Sequence, residues 1–359
     1  MTATATLKTP RFGDVTICLL LIAFLAASPH AGSAQILSPD RLKNGSLVRR
    51  AFRPVASRTS QATVEVQING KRAALGTVVA ADGYILTKAS ELDGAAVVRM
   101  PDGRKLAARI VGVYKGYDLA MLKVAARTPM VVDWNTAGDP QVGSWLATTG
   151  INSLPVAVGV VSVRRRTIPR QPGVLGIQIA DGNPGPRITR IFANSGAQRA
   201  GLKVGDIVTH VAGQIVKSSS ALSSRVRTFG PGEKLHLTVK RGGSVLAVTA
   251  RLGYPNTTFN TRRAIQNRMG GRLSNRRADF PTAIQHDTVL RPEDCGGPLV
   301  DLRGKVIGIN IARAGRTESY AIPADVILSL LSDLKSGKLA PESAHAEPPA
   351  PPLSEIRRN

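Results

Sequence analysis

Gln285–Pro298 reads QHDTVLRPEDCGGP and continues as LVDLRGKVIGIN. The run Thr288–Pro292, which contains β-branched residues, leads into Glu293-Asp294-Cys295-Gly296-Gly297. A short apolar strand follows, then a turn at Asp301–Gly304 and a second strand, Lys305–Asn310. A side chain capable of nucleophilic attack, followed by two glycines, describes a tightly folded loop whose amides can face a developing oxyanion. The rest of the chain is organised around this loop.

Upstream, short segments rich in Val, Ile and Ala read as strands: Thr63–Asn69, Ala73–Ala80, Tyr84–Lys88, Ala95–Met100, Lys105–Tyr114 and Asp118–Val124. Turn signals at Asn69-Gly70, Asp82-Gly83, Asp102-Gly103 and Lys115-Gly116 separate them, which predicts a small closed barrel. Two more strands, Ser144–Thr149 and Val156–Val163, precede a basic run at Arg164–Arg166. Thr282–His286, Pro298–Val300, Lys305–Ala312 and Ser319–Ile322 read as four further strands. Pro323 opens a helix over Ala324–Lys335, with Val326, Leu328, Leu330 and Leu331 on its apolar side.

The Asp294-Cys295-Gly296-Gly297 loop resembles the nucleophile loop of trypsin-like proteases, with cysteine in place of serine. Gln285-His286-Asp287 and Gly308-Ile309-Asn310 resemble the Do/HtrA branch, envelope proteases that carry PDZ domains. AGLKVGDIVTHVAGQ, at 200–214, is similar to the PDZ domain of that branch, and the likeness covers 172–253. It implies an all-β fold: a trypsin-like double β-barrel with a PDZ domain inserted in the second barrel and a short C-terminal helix. The chain accordingly divides into a signal peptide (1–34), a basic N-terminal arm (35–60), the first barrel and start of the second (61–168), the PDZ domain (171–254), an Arg-rich linker (255–281), the rest of the second barrel with the helix (282–335), and a Pro-rich tail (336–359).

The resemblance also places the chemistry. Cys295 takes the nucleophile position, Asp118 in Tyr117-Asp118-Leu119-Ala120 that of the acid, and Ser90 that of the histidine. Cys295, Asp294 and Glu293 are the expected oxyanion donors. Ser90 cannot replace an imidazole as a base near neutral pH. His286, nine residues before Cys295, and Lys88, two before Ser90, are the remaining groups that could serve. The resemblance further implies peptide capture by the Val174-Leu175-Gly176-Ile177 loop of the PDZ domain. The strand edge Ile311-Ala312-Arg313, which binds substrate backbone in the family, is expected to be intact. No cofactor or metal is called for.

Composition bounds the setting. Among 359 residues, 48 Lys+Arg stand against 24 Asp+Glu, a net +24 that favours acidic partners and solubility alike. Lys8 and Arg11 before the apolar run Val15–Ala27 read as an export signal cleaved near Ala34-Gln35. Without it, Cys295 is the remaining cysteine. Residues 256–281, with six arginines and one acid, are expected to form a loop. Together with 164–170 they are a possible contact for anionic polymer or lipid. The first functional reading is a protease homologue of the periplasm or cell envelope that binds peptides or the C-termini of envelope proteins, with no specific nucleic acid and with homo-oligomers possible. The alternative is an endopeptidase using Cys295 with a non-standard base.

Overall fold

The structure is a computed structural model that describes residues 37–128, 130–255 and 262–341. The expected leader and all but the start of the expected tail lie outside these residues. The basic arm forms two short helices, α1 (Ser46–Ala51) and α2 (Arg53–Ser60). Pro54 sits in the first turn of α2, where its missing N–H leaves no intrahelical bond unmade.

Six strands close the first barrel: β1 (Thr63–Ile68), β2 (Lys71–Ala80), β3 (Tyr84–Lys88), β4 (Ala96–Arg99), β5 (Lys105–Tyr114) and β6 (Leu119–Val124), in the order β1-β2-β3-β6-β5-β4. β4 returns to β1, so no edge is left open. Val64, Val66, Val78, Ile85, Leu86 and Met121 are all buried in the core. Gly76 is required there, since a Cβ would lie 2.7 Å from the Ile85 side chain and 2.8 Å from that of Val64.

The second barrel joins β7 (Trp145–Thr148) and β8 (Ala157–Ile168) to four strands from much later in the chain. These are β15 (Phe280–His286), β16 (Pro298–Val300), β17 (Val306–Arg313) and β18 (Ser319–Pro323), closed in the order β15-β18-β17-β16-β7-β8. Between the two groups lies a separate sheet of β9 (Ile177–Ala180), β10 (Arg187–Ile191), β11 (Ile207–Val211), β13 (Lys234–Arg241) and β14 (Ser244–Arg251), with the two-residue β12 (Gln214–Ile215) paired to β11. It carries the short helices α3 (Gly196–Arg199) and α4 (Ser219–Arg227). Its core, including Leu175, Ile188, Val208, Leu222 and Leu235, is distinct from the cores of the barrels. An insertion with its own core disturbs its host least where its two ends lie close together. Here Val174 and Gly253, near those ends, are bridged by two backbone hydrogen bonds.

Three expectations are corrected. The strand expected over Val156–Val163 does not stop at Val163: β8 continues through the basic run 164–166, and Arg166 pairs with Ala283 of β15. The linker is not all loop, because Arg262–Arg268 forms a helix, α5. Its Arg, Ala and Gln residues are good helix formers, and a run of charge by itself says little about backbone conformation. Finally, the C-terminal helix α6 (Ala324–Lys335) buries Ile327 and Leu334 most deeply, while Val326, Leu330 and Leu331 are only partly covered. α6 lies so close to β5 that a Cβ at Gly112 would come within 2.3 Å of the Leu334 carbonyl oxygen.

Candidate functional site

Strand β3 delivers Lys88 to the inter-barrel region and ends in a single tight turn, Ala89–Glu91. A matching turn, Lys115–Tyr117, ends at Asp118 rather than running straight into a strand. Asp118 takes a left-handed conformation (φ 58°, ψ 34°), one that aspartate tolerates better than most residues. Its carboxylate reaches residue 90: Oδ1 accepts the Ser90 N–H and Oδ2 the Ser90 hydroxyl, each at 2.8 Å. Ser90 thus makes the bonds to the acid where the resemblance places a histidine. Burial pushes the Asp118 carboxyl up, opposed by the charges of Lys88 and Arg276.

Lys88 is fully buried. Its ammonium lies 3.7 Å from Asp118 Oδ2 and 3.8 Å from Glu91 Oε1, and donates to the Arg276 carbonyl at 3.3 Å. Two carboxylates and a carbonyl give the buried cation the compensation it needs.

The cysteine loop is held from both barrels. Leu75 N–H of β2 donates to the Cys295 carbonyl (2.8 Å), and Gly296 N–H donates to Asn310 of β17 (2.7 Å). Gly296 has φ +90°, and a Cβ there would lie 2.1 Å from the Leu75 carbonyl oxygen, so only glycine fits. The expected oxyanion donors are otherwise engaged. Pro292–Asp294 forms a 3-10 turn in which Asp294 N–H donates to Arg291 (3.0 Å) and Cys295 N–H to Pro292 (3.2 Å). Two of the three amides, at Asp294 and Cys295, therefore serve protein carbonyls; Glu293, the other expected donor, lies within the same turn. Cys295 itself is fully buried, and its thiol lies 3.8 Å from both the Ser274 hydroxyl and the Arg291 carbonyl. Burial pushes that thiol up to about 11, with Lys88 opposing.

The edge Ile311-Ala312-Arg313, expected to be intact, is occupied from within the chain. Ser274 N–H donates to the Arg313 carbonyl (3.0 Å), and Arg313 N–H donates to Ser274 Oγ (2.9 Å). The linker is anchored on each side of this contact. Asn275 bonds Glu91 (3.2 Å), Arg276 donates to the carbonyls of Lys115 and Gly116, and Arg277 N–H donates to the Tyr254 hydroxyl (2.5 Å). The Arg277 guanidinium also sits 3.4 Å from the centroid of the Tyr254 ring. Arg313 is turned inward, only 1% exposed, and donates to the carbonyls of Gly270, Leu290, Met269 and Gly315.

Ser90 and Asp118 instead line a cavity of about 690 Å³ shared with Phe229–Lys234 and Tyr254; Cys295 is not in its wall. His286 is far from serving as a base. It is buried on β15 with Nδ1 against Thr288 Oγ1 and Asn310 as its other polar neighbour, and burial pulls it down to about 3. Ser274, Glu91, Arg276 and Tyr254 were missed by the sequence analysis. Ser274 and Arg276 lie in a segment that reads as a solvated basic linker, and nothing in its pattern marks it as buried.

Several arginines of the two basic stretches act as internal braces. Arg165 pairs with Asp139 and Asp325, Arg166 with Glu318, and Arg170 bonds the Thr228 carbonyl. In the inserted sheet, Val174 is bridged to Gly253, Leu175 is buried, Gly176 has φ +80°, and Ile177 starts the outer strand β9. Among the described residues, the backbone N–H groups of Leu175 and Gly176 have no protein acceptor.

Comparisons with known proteins follow this division. The PDZ domain family matches residues 173–252. A probable periplasmic serine endoprotease DegP-like protein of Halomonas elongata is 28% identical over 263 residues, covering 50% of this chain. The chain spans only 56% of that relative's length. A protein of the same description from Marinomonas sp. is 24% identical over 365 residues, 76% of this chain and 77% of that protein. The crystal structure of the serine endoprotease from Yersinia pestis aligns with 56% of this chain and 97% of its own, at 20% identity and a TM-score of 0.28.

Proposed function

Because this chain is a trypsin-like protein of the HtrA family with a PDZ domain, we propose that it is a catalytically impaired protease homologue that acts by binding. The observation carrying this reading is at residue 90. Acyl transfer in a trypsin-like site needs a group that takes the nucleophile's proton and returns it to the leaving amine. The Ser90 hydroxyl, bonded to Asp118, does neither near neutral pH. The covered Cys295, its raised thiol pKa and the engaged loop amides all support the same reading.

One observation favours the endopeptidase alternative: the Lys88 ammonium acts on the Cys295 thiol and favours its ionised form. That effect is outweighed by burial, and the ammonium is already held by Asp118 and Glu91.

The binding role falls to the inserted domain. β9 is the outer strand of its sheet, and half-buried Ile177 and Ile179 pack with Leu222 and Val226 of α4. An extended peptide adds to such an edge by main-chain bonds, its terminal carboxylate meeting the amides of Leu175 and Gly176. The relatives' names and the basic, apolar start of the sequence support a reading in which this binding acts in the periplasm or cell envelope, and C-termini of envelope proteins are its proposed ligands. The experiment is a pair of assays on the purified chain: cleavage of an unfolded protein beside Cys295→Ala, and binding of peptides with free or amidated C-termini. Cysteine-dependent turnover, or equal binding of both peptide forms, would overturn the corresponding half.

A further inference from the structure

A second cavity, of about 740 Å³, opens on the other side of the cysteine loop, and its wall is drawn from four distant parts of the chain. The helical arm contributes Arg49 and Arg53, the β1–β2 hairpin Glu65 and Arg72, the loop 150–156 its polar backbone with Asn152 and Ser153, and the cysteine loop Arg291 and Asp294. Arg313 stands behind them.

The charges do not balance locally. Arg313 is saturated by main-chain carbonyls. Both acids are already engaged. Asp294 holds Arg72 at 2.6 Å with one oxygen and the Arg291 N–H with the other, and Glu65 accepts Arg99 at 3.1 Å and lies 4.0 Å from Arg72. Arg49, Arg53 and Arg291 have no acidic partner within 4 Å among the described residues, and Arg49 Nε is out of solvent without a hydrogen-bond partner among them. An unmade bond at a buried guanidinium N–H is costly. Three unpaired cations around a concavity also focus a positive field into it.

The rest of the wall narrows the ligand. Among the described residues it contains no aromatic side chain, so a nucleic acid would find no surface there for base stacking. A concave site does not meet a flat bilayer. Leu75, Ile151, Leu154 and Val289 supply aliphatic contacts between the arginines. A guanidinium fork matches a carboxylate, and in this wall Arg72 already holds the Asp294 carboxylate through one N–H.

We propose that this cavity is a binding site for a short acidic polypeptide segment, its carboxylates held by Arg49, Arg53 and Arg291 and its aliphatic side chains by the intervening apolar wall. The site is separate from the groove beside β9 and needs neither Cys295 nor a free C-terminus.

The test is fluorescence anisotropy on the full chain at low salt, using an alternating Asp-Leu octapeptide with an amidated C-terminus and its Asn-Leu counterpart. The amide keeps the probe from the PDZ loop, so this result is independent of whether the peptide reading of that domain holds. The acidic peptide is expected to bind about tenfold or more tighter than the neutral one, and R49Q/R291Q to remove about tenfold or more of that affinity with the melting temperature unchanged. Should the double variant fold poorly, R53Q and R291Q singly are each expected to weaken binding about threefold or more. Equal binding of the two peptides, or full affinity in the folded variants, would overturn the proposal. So would inorganic polyphosphate binding where the acidic peptide does not.

Discussion

Two strand edges in this molecule can take an added strand, and they have opposite fates. At the end of β17 the edge formed by Ile311–Arg313 is bonded in both directions by Ser274, and its arginine is turned into the interior. At β9 the edge is the outer strand of its sheet, beside an apolar floor and two N–H groups without protein acceptors among the described residues. The first edge lies beside the cysteine loop, the second in the inserted domain. The chain covers one edge with its own linker and leaves the other, so on the proposed reading recognition falls where nothing internal competes for the backbone.

The largest expected effect is on catalysis. Cleavage of an unfolded protein should show no Cys295-dependent component, a deficit on the order of 10⁴ or more relative to a complete triad. Placing histidine and serine together (Ser90→His with Cys295→Ser) should still give no turnover while Ser274 holds Arg313. Activity from that pair, in an otherwise unchanged chain, would break the comparison, because it would mean the β17 edge opens readily.

Acid should separate the two edges. His286 is held neutral by burial, its pKa pulled from 6.5 to about 3. Between those values the unfolded chain binds the proton that the folded chain refuses. Stability is therefore present above about pH 6.5 and lost as pH falls toward 3, by on the order of 5 kcal/mol. Hydrogen exchange, corrected for intrinsic rate, should rise in β15, β17 and β18 at pH 4.5 before it rises in β9 and β10. His286→Gln should remove most of that difference. Uniform loss of protection in both regions would contradict it.

For the open edge, a peptide with a free C-terminus should bind about tenfold tighter than its amide, the worth of a charge-assisted hydrogen bond or more. Arg49 and Ser274 variants should leave that ratio unchanged, as read by anisotropy. The smallest effect concerns the covered edge. Cys295, with its pKa near 11, should react slowly with a thiol reagent at pH 8. Ser274→Pro removes the N–H that bonds Arg313 and disturbs the hydroxyl contact. Two hydrogen bonds of about 1 kcal/mol each predict labelling up to about thirtyfold faster, with peptide binding at β9 unaffected. Unchanged labelling would show that the linker is not what covers the thiol.

Much of this was legible in the sequence. Apolar strands and glycine turns gave the first barrel and the helix that follows Pro323, while the resemblance implied the second barrel and the insertion between β8 and β15. Short-range identity placed Asp118, Ser90 and Cys295, and the side chains of the first two do meet. These features are written locally, since strand period, turn chemistry and loop glycines act over a few residues. The fate of the site was decided only by the tertiary structure. Ser274 reaches Arg313, Arg276 reaches Gly116 and Arg313 reaches Gly270 across 39 to 160 positions of sequence. The acceptors that allow two arginines and a lysine into the interior are largely main-chain carbonyls, together with the carboxylates around Lys88. Every residue has such a carbonyl, so no residue pattern announces which of them will face a buried cation. An arginine-rich run thus reads as solvated surface until the fold supplies the oxygens that take the place of water.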